Sequence, residues 1–495
     1  MKKQICSLVF ICTIVMTRSA VSFETSTPEA QGISSSAIID FIEAAEAEVD
    51  ALHSFMLLRH GKIVAQGWWA PYSAEHPHVL YSLSKSFTST AIGLAIAEGL
   101  LSLDDTVISF FPDETPENPG NNLKSMRIRD LLAMNSGHEE DTTGRITSVE
   151  GKTWVEAFLS LTVEHKPGTH FVYNSGATFM LSAILQKVSG ETVLDFLTPR
   201  LFQPLGIEKP TWENNPQGIN TGGWGLKVKT KDIARLGQLY LQKGVWNGQR
   251  ILTEAWVDAA SARQTSNGSN PESDWEQGYG YQFWRCRHNA YRGDGAFGQY
   301  CIVLPEQDAV LAITSGLGDM QKPLNLVWDI LLPAMGEKAL PEDKETDKKL
   351  QNKLANLQLR TVSGEPDSET AKKISGRTFV FEPSIRDLKS VSFDFVENRS
   401  TIHVQAGSGE RLLDCGFKKW IPNQMPLMNA NPEPVAVCGA WIKPDHYRIK
   451  IAGIETPYIQ TLNFLFQGEE LLFDLEYNVS FGERKWGQIR AKLKQ

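Results

Sequence analysis

Residues 81–90 read YSLSKSFTST, and within them Ser82 and Lys85 stand three positions apart. On a helix, side chains at i and i+3 project from one face, so a hydroxyl and an amine can meet. At a helix start the serine N–H is one of the amides without an intrahelical acceptor, and the dipole favours negative charge there. A lysine buried beside it is held neutral by desolvation and can take the hydroxyl proton. The spacing arises by chance in many chains. Here, however, Ser82 is the only serine with a lysine three residues on, and it opens a helical pattern instead of sitting in its middle. Apolar neighbours such as Phe87 and Ile92 predict a Lys85 pKa near neutrality.

Two further stretches carry possible partners. PGTHFVYNSGATFM (167–180) sets Tyr173 and Ser175 on a turn just before a helix. A tyrosine whose pKa a nearby lysine lowers can relay protons, which predicts coupled titration of Tyr173 and Lys85. Alone, a tyrosine in this position is more often packing. RGDGAFGQYCIVLP (292–305) is a glycine-rich run into a strand, whose backbone can approach a substrate closely and offer an N–H to an oxyanion. GGWGL (222–226) places Trp224 where it walls a pocket or fills a core, and NSGHEED (135–141) offers His138 and Asp141 as cleft-lining groups. The histidines show no metal-ligand spacing of the HExxH or HxH kind, so no metal and no cofactor are expected.

The elements that position these residues follow from periodicity. SFMLLRHGKIVAQGWW (54–69) reads as two strands turning at His60-Gly61, and a long helix runs from Ser82 to near Gly99. ATFMLSAILQKVSG is an amphipathic helix stopped by Gly190, and TKDIARLGQLYLQKG one capped by Thr230. GYGYQFWRC, GQYCIVLP and AVLAITSG are strand-like. Strands at both ends with helices between predict an antiparallel sheet closed by its termini, an α+β domain over residues 23–337. Residues 338–360 are charge-dense, without a broad apolar face, and read as a linker between two folding units. Residues 361–495 hold eight short alternating runs, from TFVFEP to KWGQIRAKL, at the spacing of an all-β barrel.

Taken in this order, YSLSKSFTSTAIGLAIAEGLLSLDD, FVYNSG and DGAFGQYCIVLPE resemble the serine beta-lactamase/penicillin-recognising family, in its class C-like branch of esterases, D-peptidases and amide hydrolases. The resemblance spans about residues 25–337 and implies a beta-lactamase/transpeptidase-like fold. It implies Ser82 as the acylated nucleophile, Lys85 and Tyr173 as base and proton relay, and the amides of Ser82 and Ala296 as oxyanion hole. The Tyr-Asn-Ser order replaces the family's usual Tyr-x-Asn, and no Lys-Thr-Gly occurs. That lowers the expectation of beta-lactam turnover and points toward the 6-aminohexanoate-dimer hydrolase and esterase branch. Ser175, Trp224 and Asp141 are the substrate-binding candidates, and Arg292 is weighed as a substitute for the missing lysine or as an ordinary solvated arginine. The barrel resembles the lipocalin-like appendages of some relatives. The alternatives are a D-amino-acid-specific peptidase or penicillin-binding protein, and a non-catalytic ligand-sensing relative.

At 495 residues, with 49 Lys+Arg against 58 Asp+Glu, the chain predicts two domains and has no basic cluster for nucleic acid. Its expected partner is a small-molecule or peptide-like substrate, and its oligomeric state is not encoded in any motif. Residues 1–22 carry Lys2, Lys3, an apolar run and a small-residue site at Ala20-Val21-Ser22, the plan of a signal peptide, so export to periplasm or medium is expected, with no membrane span afterwards. Cys286 and Cys301, like Cys415 and Cys438, are either disulfide pairs or buried free thiols.

Overall fold

A computed structural model describes residues 23–494, apart from 50, 383–387 and 428–430. The expected signal segment lies outside the described residues. Within them, no helix is long and apolar enough to cross a membrane.

The first sheet has six strands: β1 (Leu52–Arg59), β2 (Lys62–Trp68), β3 (Trp284–Arg285), β4 (Tyr291–Gly295), β5 (Gln299–Leu304) and β6 (Ala309–Ser315). They run in the order β2-β1-β6-β5-β4-β3, every pair antiparallel, so strands from the two ends of the domain meet at the centre. The β1–β2 turn uses His60 and Gly61 at φ 48° and 71°, the left-handed values a tight two-residue hairpin needs. β1 is buried along its whole length because both faces are covered. Phe55 and Leu57 face α1 (Ser35–Glu48), whereas Met56 and Leu58 face α2 (Ser84–Ala97), α3 (Ser175–Ser189) and α4 (Thr230–Leu241). Of the strand-like run 278–286, only Trp284–Arg285 pairs as β3; its aromatics belong to irregular backbone packed beside the site.

The second sheet has ten strands between Thr378 and Leu493, nine of which close into the barrel expected from the sequence while Ile421–Met425 pairs outside the ring. It closes on itself where Gly409–Gly416, already paired with Arg399–Ala406, also meets Glu433–Lys443 at Gly416–Cys438. Two strands escape the sequence reading, Gly409–Gly416 and Ile421–Met425: the first is buried mainly in its second half, and the second is short and contains Pro422.

Residues 338–360 are not a free linker. They contain α5 (Lys344–Ala355), which packs on α1. Leu350, Leu354 and Leu357 form a narrow stripe; Leu350 and Leu357 are buried, and a Cβ at Gly67 of β2 would collide with Leu354 and Leu357. Lys353 binds Glu46 of α1 at 2.9 Å. Three leucines suffice because the receiving surface is a glycine in a strand. The barrel is likewise joined to the first domain by apolar packing, since Trp420, Ala436, Ile454 and Ile459 belong to the same buried cluster as Leu52, Phe55 and Leu317. Among the described residues, Cys286, Cys301, Cys415 and Cys438 are buried free thiols, and no disulfide forms among them.

Candidate active site

Ser82 does not begin α2. It lies in the preceding 3-10 turn Tyr81–Leu83, which runs directly into α2 at Ser84. Tyr81 has φ 46°, a left-handed conformation that a bulky side chain adopts only when its surroundings enforce it. They do: the Tyr81 ring meets Phe297 and Phe481 edge-on, and its hydroxyl donates to Tyr458 Oη at 2.7 Å. Two of these three holders, Tyr458 and Phe481, come from the barrel.

The turn and the first turn of α2 bring Lys85 Nζ to 3.0 Å from Ser82 Oγ. The same nitrogen is 2.9 Å from Ser175 Oγ, at the first residue of α3, and 2.8 Å from the Gly223 carbonyl. Gly223 can only accept, so one N–H is fixed on it. A protonated amine donates to all three oxygens, whereas a neutral one keeps a lone pair for a hydroxyl hydrogen. Desolvation brings the Lys85 pKa down to about 7, against the opposing carboxylates of Asp141 and Asp294. A Cβ at residue 223 would stand 3.1 Å from Ser175 O and 3.4 Å from Lys85 Nζ, so the glycine lets this loop lie close against the amine.

Tyr173 lies beside this pair, its ring 4.9 Å from Lys85 Nζ and stacked on Trp284 at 5.1 Å. Its phenol is not acidified. Burial holds its pKa well above the ordinary range, reinforced by Asp294 and Asp141 and only partly opposed by a hydrogen bond with Ser82. Burial thus moves the two groups in opposite directions, the amine down to about 7 and the phenol up, which runs against the sharing of one proton expected from the sequence.

β4 supplies the opposite wall. A Cβ at Gly295 would fall 1.9 Å from Leu80 O and 3.1 Å from Leu83 N, so only glycine lets the strand lie against the Ser82 turn. Ala296 follows at the hairpin, with Phe297 and Gly298 at φ 66° and 90°. Among the described residues, neither the Ser82 nor the Ala296 N–H donates to another backbone group. An oxyanion requires amides that are free to donate, and these two lie on the Ser82 turn and on the hairpin that follows Gly295, which packs against that turn.

The other predicted site residues divide. Ser175 is in contact with Lys85, as above. Trp224 is half-buried and tilted against Trp154 at 6.1 Å, its carbonyl accepting from Trp212, so it walls the space beside Gly223. Asp141 is exposed, and its Oδ1 accepts from the Ser175 N–H at 3.0 Å and from Thr143, which makes it a cap of α3 at the rim of the site. Two candidates are corrected. His138 is fully buried against Phe158 and paired with Ser136, so it lines no cleft. Arg292 is neither solvated nor available to a substrate: with 0% exposure it binds Asp294 and the Asp274 carbonyl, with its guanidinium over Trp275, because alternation along β4 turns it away from Ser82.

Several contributors escaped sequence reading. Asn174 caps α3 and holds Thr142, fixing the turn that presents Tyr173 and Ser175. Asp294 is a buried carboxylate close enough to raise the phenol of Tyr173 and support the charge on Lys85; its place in RGDG was the one available signal. The structure also gathers Glu139, His165 and His170 from two loops within 4.8 Å, a trio no sequence spacing reveals. These groups are hydrogen-bonded or stacked on one another, partly in solvent.

Against known proteins, the family model described as Beta-lactamase matches residues 46–325. The chain is 25% identical over 290 residues to a 6-aminohexanoate-dimer hydrolase of Paenarthrobacter ureafaciens, covering 54% of this chain and 73% of that one. A Bacillus anthracis structure carrying the provisional designation of 6-aminohexanoate-dimer hydrolase aligns with TM-score 0.54 at 19% identity, over 65% of this chain and 89% of its own. An octameric penicillin-binding protein homologue from Pyrococcus abyssi aligns with TM-score 0.50 at 16% identity, over 92% of this chain and 99% of its own, so its fold likeness extends over the barrel.

Proposed function

The chain belongs to the beta-lactamase family, and from that premise we propose that it is an exported serine hydrolase that cleaves an ester or amide through an acyl-enzyme on Ser82. The observation that carries this reading is the Lys85 amine, buried, brought to about pKa 7 and held 3.0 Å from Ser82 Oγ.

In the proposed cycle Lys85 accepts the Ser82 proton as Oγ bonds to the substrate carbonyl carbon. The oxygen that gains the electron pair receives the N–H groups of Ser82 and Ala296. Tyr173, a neutral phenol, hands its proton to the departing alcohol or amine and takes up in return the proton that Lys85 had accepted, leaving the amine neutral for the next step. Water then enters, loses its proton to the same base and releases the acid, restoring Ser82. Trp224 and Trp284 flank the site as apolar walls, which suits a substrate with little charge near the scissile bond.

The test is covalent. A serine-directed phosphonate adds one label per chain to wild type and none to Ser82→Ala by intact mass; an unlabelled wild type, or equal labelling of the variant, removes Ser82 as nucleophile. A second expectation follows from Arg292. No Lys-Thr-Gly is present and Arg292 is committed to Asp294, so neither of the cations weighed from the sequence holds a beta-lactam carboxylate. Turnover of p-nitrophenyl esters exceeds that of nitrocefin by about a hundredfold or more. Efficient nitrocefin hydrolysis contradicts this account of specificity.

A further inference from the structure

Two loops beside the active site, residues 135–141 and 164–170, are tied to each other. The His165 N–H donates to the Gly137 carbonyl at 2.8 Å, the Gly168 N–H to the Asn135 carbonyl at 2.8 Å, and the Glu139 N–H to a Glu164 carboxylate oxygen at 3.1 Å. Gly137 permits the approach: its φ is 89°, and a Cβ there would lie 2.4 Å from the His165 oxygen. Across this seam stand Glu139, His165 and His170, with a donor atom of each within 4.8 Å of the other two. His165 Nε2 meets a Glu139 oxygen at 2.5 Å, and the His170 ring lies beside that of His165 with centroids 4.0 Å apart. An ion pair uses Glu139 and one imidazole. A second imidazole adds repulsion when both rings are protonated, but a second lone pair when both are neutral.

We propose that Glu139, His165 and His170 form a binding site for a divalent cation of the zinc class, with one carboxylate oxygen and two imidazole nitrogens as ligands and water completing the shell. Two imidazoles against one carboxylate favour such an ion over Mg²⁺ or Ca²⁺, which take oxygen donors. Bonds of about 2.1 Å to a tetrahedral ion set its ligands about 3.4 Å apart, so the widest separation closes by no more than about 1.4 Å. The side chains of His165 and Glu139 are 38% and 64% exposed, which leaves them free to turn by that much. The ion takes the place of the proton between Glu139 and His165, while the backbone bonds keep the loops in register. The sequence expectation of no metal rested on short spacings such as HExxH. Glu139 and His165 are 26 positions apart, and the pairing of the loops is what unites them. One loop ends at Asp141 and the other runs on to Tyr173, so a bound cation pins together the segments that bring both to the rim of the site. None of the three ligands acts in the acyl-enzyme cycle, and the cation site does not depend on that reading.

The test uses the full chain, freed of metal with EDTA and dialysed, and titrates it with Zn²⁺ by calorimetry. Saturable binding of one equivalent is expected, with Mg²⁺ far weaker. His165→Gln and His170→Gln each weaken Zn²⁺ binding by about a hundredfold or more, at least the cost of losing an outer partner of a metal ligand. Ser82→Ala and His403→Gln leave it unchanged; His403 is a barrel imidazole 2.9 Å from Asp394 and controls for a simple imidazole–carboxylate pair. Zn²⁺ raises the melting temperature of wild type and not of His170→Gln, and His170→Gln decides alone should metal-free His165→Gln melt early. Co²⁺ in place of Zn²⁺ gives visible d–d bands without thiolate charge transfer, as nitrogen and oxygen ligands require. Absence of saturable binding, equal affinity for Mg²⁺, unaltered Zn²⁺ affinity in His170→Gln, or a thiolate band overturns the proposal.

Discussion

Replacing Lys85 with arginine lowers the rate of acylation by about a thousandfold or more, the scale of a lost general base. Arginine keeps the positive charge but does not deprotonate in the working range, so it cannot accept the Ser82 proton. In wild type the acylation rate climbs through a midpoint near pH 7, because burial brings Lys85 to about 7 and only its neutral form serves. The sign is fixed by the groups around it. Asp141 and Asp294 favour the ammonium form, so Asp141→Asn moves the midpoint to lower pH while weakening the cap on α3. Tyr173→Phe lowers the rate less than Lys85→Arg and leaves the midpoint in place, since the phenol stays neutral throughout this range. Pre-steady-state acylation across pH 5–10, measured beside thermal melting of each variant, checks all three. A wild-type profile that rises only above about pH 10, the region of an unperturbed lysine, or a Lys85→Arg enzyme near full rate, removes Lys85 from the mechanism.

The parts of this site legible in the sequence are those whose chemistry is local. Ser82 and Lys85 are three residues apart, and Tyr173 and Ser175 share one turn, so spacing along the chain translates into spacing in space. Gly295 and Ala296 were legible as a glycine-rich hairpin because close backbone approach demands glycine. What was lost depends on which way a strand faces or on what a distant segment brings. Arg292 and Asp294 alternate with Gly293 and Gly295, and a single sequence does not say which pair meets α2; the collisions of a Cβ at Gly293 with Leu83 and Ser86 settle that it is the glycines. The direction in which Tyr173 shifts was hidden for a related reason, since burial of the phenol raises its pKa and the carboxylate of Asp294, from more than a hundred residues away, adds to the rise. The barrel was legible through its alternation, but its part in holding the Ser82 turn was not, because Tyr458 and Phe481 meet Tyr81 only after the two halves dock.

That docking ties the Ser82 turn to the barrel, although residues 338–360 read in the sequence as a linker between two folding units. A chain of residues 23–336 is expected to lack stoichiometric labelling at Ser82, with a loss of about a hundredfold or more in labelling rate if soluble protein is recovered at all. Cutting there exposes the side of the cluster that holds Leu52, Trp69 and Leu317, now covered by α5 and by Trp420, Ile454 and Ile459. It also frees the nucleophile turn. The Val79 N–H loses the Glu455 carbonyl at 2.9 Å, Lys227 loses Glu455 at 3.0 Å, and Tyr81 loses Tyr458 and Phe481, which hold its left-handed backbone. Phe481 is 72% exposed, so its ring serves the contact with Tyr81 and Phe297 and not a core of its own. A less drastic pair of variants separates the two losses. Phe481→Ala in the full chain keeps the melting transition and slows labelling by releasing Tyr81, whereas Ile454→Asp lowers the melting temperature by burying a charge in the shared cluster. A 23–336 fragment that melts cooperatively and is labelled at the wild-type rate would show that the barrel holds neither the core nor the Ser82 turn.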